Sequence, residues 1–86
     1  MTGSGSGSGF SLQDGLARSG MSFTELWLRQ LGVGGTAGRL EVEAYVLGLL
    51  AADPYQHDVL AQGINEYFIE RHQDHPVAYW SGLPAG

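Results

Sequence analysis

Between Met21 and Phe68 the apolar side chains recur three and four residues apart, and stripes of that period escape water only by lying against one another. The clearest stretch is DPYQHDVLAQGINEYFIE. Asp53 is an N-cap residue, Pro54 takes the first helical position, where its missing amide hydrogen costs nothing, and Gln56 completes a capping-box pattern. Val59, Leu60, Ile64, Tyr67 and Phe68 then share a face, with Asp58, Gln62, Asn65, Glu66 and Glu70 assigned outward or to its edges. The spacing predicts a helix from Pro54 to about His72, because Pro76 forbids continuation much beyond Asp74. Gly63 within the stripe costs roughly 1 kcal/mol against Ala. It therefore points to a close helix crossing, for which Gly48 is the expected counterpart.

An earlier helix is announced by MSFTEL. Ser22 is the N-cap, Glu25 stands where it returns a bond to the cap's amide, and Met21 is placed to pack on Leu26. Phe23, Leu26, Trp27 and Leu31 recur at helical spacing, and Gly32 is the expected left-handed stop. The next stretch, RLEVEAYVLGLLA at residues 39–51, is ambiguous. Leu40, Val42, Ala44 and Val46 alternate with polar residues as in a strand, yet Leu40, Ala44, Leu47 and Ala51 line one helical stripe. Glu41 and Glu43 fall in a first turn where the helix dipole favours anions, and no partner strand exists, so helix is the reading. With only Ala52 and Asp53 between them, the last two helices should form an antiparallel hairpin receiving Phe23, Trp27 and Leu31. The expected fold is all-α, a small three-helix domain over residues 21–80.

The opening MTGSGSGSG cannot bury apolar surface and reads as flexible coil, either a linker or cloning remnant or a natural Gly/Ser tail. FSLQDGLARSG, with Gly15 interrupting its few apolar residues, is grouped with it as a flexible tail over residues 1–20, docking loosely or forming one helical turn at most. An alternative is that this segment is a ligand tethered to the domain that binds it. Residues 81–86 are expected to be disordered.

Chemistry is sparse in this sequence. Four Arg, no Lys and nine acidic residues give a formal charge of −5, which repels a phosphate backbone, so nucleic acid is excluded as a partner. The absence of Cys removes thiolate nucleophiles and the common structural zinc sites. GVGGTAG at residues 32–38 lacks the Lys and the preceding strand of a phosphate loop and reads as a flexible connection. No Ser lies in a strand-to-helix elbow, so no catalytic residue and no cofactor is assigned, and the chain is read as no enzyme. No 18-residue apolar run or secretory core is present, giving an expectation of no membrane and a cytoplasmic location. The remaining metal or enzymatic alternative rests on His57, His72 and His75. His72 and His75 are three residues apart, but no third ligand is fixed, and His57 reads as solvated surface.

The aromatic residues carry the functional expectation. Phe23, Trp27, Tyr45, Tyr55, Tyr67, Phe68, Tyr79 and Trp80 either fill a thin core together or leave some of their number exposed. Trp and Tyr give large contact area at low entropy cost, which makes them binding anchors. The expected partner-binding set is Phe23, Trp27, Tyr45, Tyr67, Tyr79 and Trp80, rimmed by Glu41, Glu43, Glu66 and Glu70. The expected function is a non-catalytic interaction or regulatory adaptor module that binds another protein or itself, the latter as a homodimer.

Overall fold

In the computed structural model, which describes residues 7–74 and 76–82, the chain is helical throughout its regular structure. Four α-helices follow in order: α1, Gly7–Ser19; α2, Phe23–Gly32; α3, Arg39–Val46; and α4, Pro54–Glu70. A short 3-10 turn, Trp80–Gly82, follows. Among the described residues there is no strand, so the helical reading of residues 39–46 holds. The first part of the Gly/Ser stretch, residues 1–6, the end of the expected disordered tail, residues 83–86, and His75 lie outside the described residues.

Over residues 7–19 the expected flexible tail is corrected by α1. Leu12 is fully buried and Leu16 nearly so, and α1 makes the most extensive packing in the molecule, against α4. Gly15, which reads as an interruption, is instead a contact. A Cβ at this position would overlap the side chain of Val77 and come within 3.2 Å of Ile64. The helix tolerates Gly here because the close approach it permits buries more than Ala would contribute. Ser81 and Gly82 likewise belong to the 3-10 turn rather than to a disordered end.

The expected α3–α4 hairpin is also corrected. α4 packs mainly on α1 and α2, and α3 packs on those same two helices, so the pair that chain order suggested would pair directly makes its main contacts elsewhere. Seven residues, 47–53, separate α3 from α4, because α3 stops at Val46 rather than near Ala51. The cause is Gly48, at φ 79°. Its amide donates to Tyr45 O and that of Leu49 donates to Ala44 O at 2.8 Å, the two bonds of a Schellman turn. Gly48 thus ends a helix and does not face Gly63. The close crossing at Gly63 is real but involves α2, where a Cβ would meet Leu26 Cδ1 at 3.2 Å and Arg29 Cβ at 3.5 Å.

The helix starts follow the sequence. Ser22 Oγ accepts the Glu25 amide and Asp53 Oδ1 accepts the Gln56 amide. The return bonds do not form. Glu25 turns to Arg29, and Gln56 Oε1 is buried without a hydrogen-bond partner. Gly32 closes α2, but the left-handed residue is Gly34, at φ 98°. The loop beyond it is pinned: Tyr55 Oη donates to Gly34 O at 2.8 Å, Gln30 Nε2 donates to Ala37 O at 2.9 Å, and Ala37 is buried. A Cβ on Gly35 would overlap the Gln30 carboxamide and stand 2.6 Å from Val59 Cγ1, so this connection is packed.

The core collects Leu12, Leu16, Leu26, Val42, Val46, Leu60, Ala61, Ile64, Phe68 and Val77. The buried faces of α2 and α3 are rotated from those the leucines suggested. On α2 the buried residues are Leu26 and Gln30, while Leu31 is exposed. On α3 they are Val42 and Val46, while Leu40 lies 71% exposed. The β-branched pair lies one helical turn apart on α3, which packs on α1 and α2.

Candidate functional site

Two surfaces emerge from this fold, one closed and one open. The closed one is built on α4. His57, Ala61, Ile64, Asn65 and Phe68 recur at helical spacing and are all buried, which corrects the reading of His57 as solvated and of Asn65 as outward-facing. Asn65 spans the main chain of Val77: its Nδ2 donates to Val77 O at 2.8 Å and its Oδ1 accepts from Val77 N at 3.0 Å. His57 Nε2 lies 2.7 Å from Ala78 O, a geometry that requires the proton on Nε2. Asp58 Oδ1 accepts the Trp80 amide at 2.7 Å, and the Trp80 ring meets His57 edge-on at 5.9 Å. Residues 77–80 are therefore a strap laid along α4, anchored by Val77 in the space that Gly15 leaves open. Burying that valine contributes about 1.5–3 kcal/mol, and each satisfied bond about 1 kcal/mol.

The strap leaves α4 through a second Schellman turn. His72 has φ 57°, the only positive φ among the described non-Gly residues. Its amide donates to Ile69 O and that of Gln73 to Phe68 O. The helix consequently ends at Glu70 rather than His72.

A charged cluster ties α2 to α4. The Arg29 guanidinium forks onto Glu70 at 3.2 and 3.3 Å, meets Glu25 at 3.3 Å and approaches Glu66 at 3.9 Å. Hydrogen bonding to Glu70 raises its pKa above the usual arginine range, against partial desolvation. A raised value means that this contribution is intact below the ordinary arginine pKa and is lost only as pH climbs through the raised one. It is constant across physiological pH. Glu66 and Glu70 are thereby engaged within the fold, and Glu41 accepts the Gly38 amide at 2.8 Å, so three of the four residues of the expected acidic rim have internal roles. Arg71 lies over the Tyr67 ring at 3.7 Å.

The expected aromatic anchors divide. Phe23, Trp27, Tyr45 and Tyr67 are half-buried against the core, and Tyr67 meets Phe68 edge-on at 5.2 Å. Tyr79 and Trp80 are about 40% exposed, on the strap. The open surface is instead aliphatic. Leu47, Leu49 and Leu50, all in the turn after α3, are exposed, Leu49 to 76%, and Leu40, Leu28 and Leu31 are exposed as well. Sequence reasoning placed Leu31, Leu40 and Leu47 on buried stripes. The signal available for the turn was Gly48, which stops α3 before Leu47, Leu49 and Leu50.

Of the three histidines, the two that are described stand apart. His57 lies in the first turns of α4 and His72 just beyond its end, about 22 Å apart at 1.5 Å per residue. The third, His75, lies outside the described residues. Among the described residues no helix is long and apolar enough to cross a membrane. Compared with family models, curated proteins and solved structures, the chain matches none.

Proposed function

We propose that this chain is a non-catalytic protein-binding module whose contact surface is the aliphatic turn after α3. The observation that carries the reading is three large apolar side chains, Leu47, Leu49 and Leu50, held out from the core within four residues by a hydrogen-bonded turn. Isolated exposed leucines are ordinary, but a fixed group of them marks an interaction surface. Rigid presentation also lowers the entropy lost on association. An apolar helix face on a partner is the natural complement, read through side chains at i, i+3 and i+4.

Selection of amphipathic helical peptides from a displayed library against the folded protein tests this reading. Binders are expected, and Leu49→Glu should abolish their binding while leaving the helical circular dichroism unchanged. Binders indifferent to Leu49→Glu, or no binders at all, would reject the leucine surface.

A further inference from the structure

The groove beneath the strap recognises main chain. Asn65 holds both the amide and the carbonyl of Val77, His57 holds the carbonyl of Ala78, and Asp58 holds the amide of Trp80. The one fully buried strap side chain, Val77, fills the notch beside Gly15 and Ile64. A second copy of the same segment would meet this groove on identical terms. Vacating it would break both Asn65 bonds to the strap and return the apolar Val77 side chain to water, costs that favour refilling.

The turn that delivers the strap has two competing conformations. With His72 in the left-handed region, the chain reverses and residues 77–80 return to their own α4. A histidine there carries the Cβ penalty that glycine escapes. The residues that follow α4, Arg71 to Asp74, are all compatible with helix, and a proline stop comes only at Pro76. If α4 continued through His72, helical hydrogen bonds would replace those of the turn and the left-handed residue would disappear. The strap would then project away from its own groove and could reach only that of another molecule.

We infer that this chain forms an exchanged dimer, in which residues 77–80 of each copy occupy the α1–α4 groove of the other and α4 continues beyond Glu70. The exchange uses the strap contacts already seen in one copy, and it is independent of the leucine surface. Concentration and the conformational preference of residue 72 set the balance between the closed and exchanged forms.

The test uses the full chain, refolded at about 1 mM, near the effective concentration that a short tether gives its own ligand. Size exclusion with light scattering is run on the natural sequence, His72→Ala and His72→Gly. His72 is exposed, so neither change disturbs the core. Alanine favours the continued helix and disfavours the left-handed turn, and glycine does the reverse. The dimerisation constant should rise with alanine and fall with glycine, with at least about a tenfold difference between the variants. In a co-refolded mixture of carbon-13-labelled and unlabelled chains, isotope-filtered spectra should show Val77 methyls contacting Ile64 methyls of a different molecule. Monomers throughout, equal dimerisation of the two variants, or Val77–Ile64 contacts confined to single molecules would each overturn the exchange. A dimer insensitive to residue 72 but dissolved by Leu49→Glu would also overturn it, while upholding the leucine surface.

Discussion

α3 and α4 end in the same hydrogen-bonded turn and put it to opposite uses. After α3, Gly48 adopts φ 79° without penalty and the following leucines are left in solvent. After α4, His72 adopts φ 57° and the chain is brought back until Val77 enters the core. The first turn is cheap in itself and gains little burial beyond it. The second is strained, and the strap contacts that follow offset the strain. A helix end is therefore selected by what comes after it as much as by the residue at the turn.

That contrast is most sharply broken at Asn65. Asn65→Ala removes both bonds to Val77 from a buried site and should destabilise the protein by about 2–4 kcal/mol in urea unfolding. Trp80 fluorescence should shift to the red as the strap is freed. Gly15→Ala is next, because helix propensity alone predicts stabilisation whereas overlap with Val77 predicts a loss of about 1–3 kcal/mol. A stabilised variant would mean that Val77 does not occupy the notch. The two turns themselves should respond with opposite signs. Gly48→Ala should destabilise by about 1 kcal/mol and His72→Gly should stabilise by about 0.5–1 kcal/mol, both measured by thermal and chemical unfolding. The smallest effect belongs to the open side: Leu49→Ser should change stability by less than about 0.5 kcal/mol.

What was legible in the sequence was local. Ser22 and Asp53 cap their helices because a side-chain oxygen one residue before a helix has its amide partners within reach wherever the helix later packs. The Gly63 crossing was legible in kind, but its partner was not. The helical stripe on α4 was legible too, except that His57 and Asn65 belong to it. Their polarity argued for the surface, but the strap, 12 residues beyond Asn65, bonds to both within the core. α1 was hidden for a related reason. Gly15 reads as a break until Val77 is known to fill the space beside it. On α3 the larger leucines outweighed Val42 and Val46 in any count of apolar area, yet the two valines are the pair that went inside. As to the candidate site, the aromatic residues were identified as interfacial by type, but four of the six pack against the core. The exposed leucines were overlooked because the turn at Gly48 rotates them out of the expected stripe.

The extensive packing of the first helix on the last also governs how this molecule is assembled during synthesis. Leu12 waits for its neighbours on α4, and the notch at Gly15 stays open until the codons for Val77 have been read. A growing chain emerging in order would hold its early helix without a completed partner surface through most of translation. Closure of the long loop between them makes folding a late and collective event, slower than a bundle built from sequential neighbours would require.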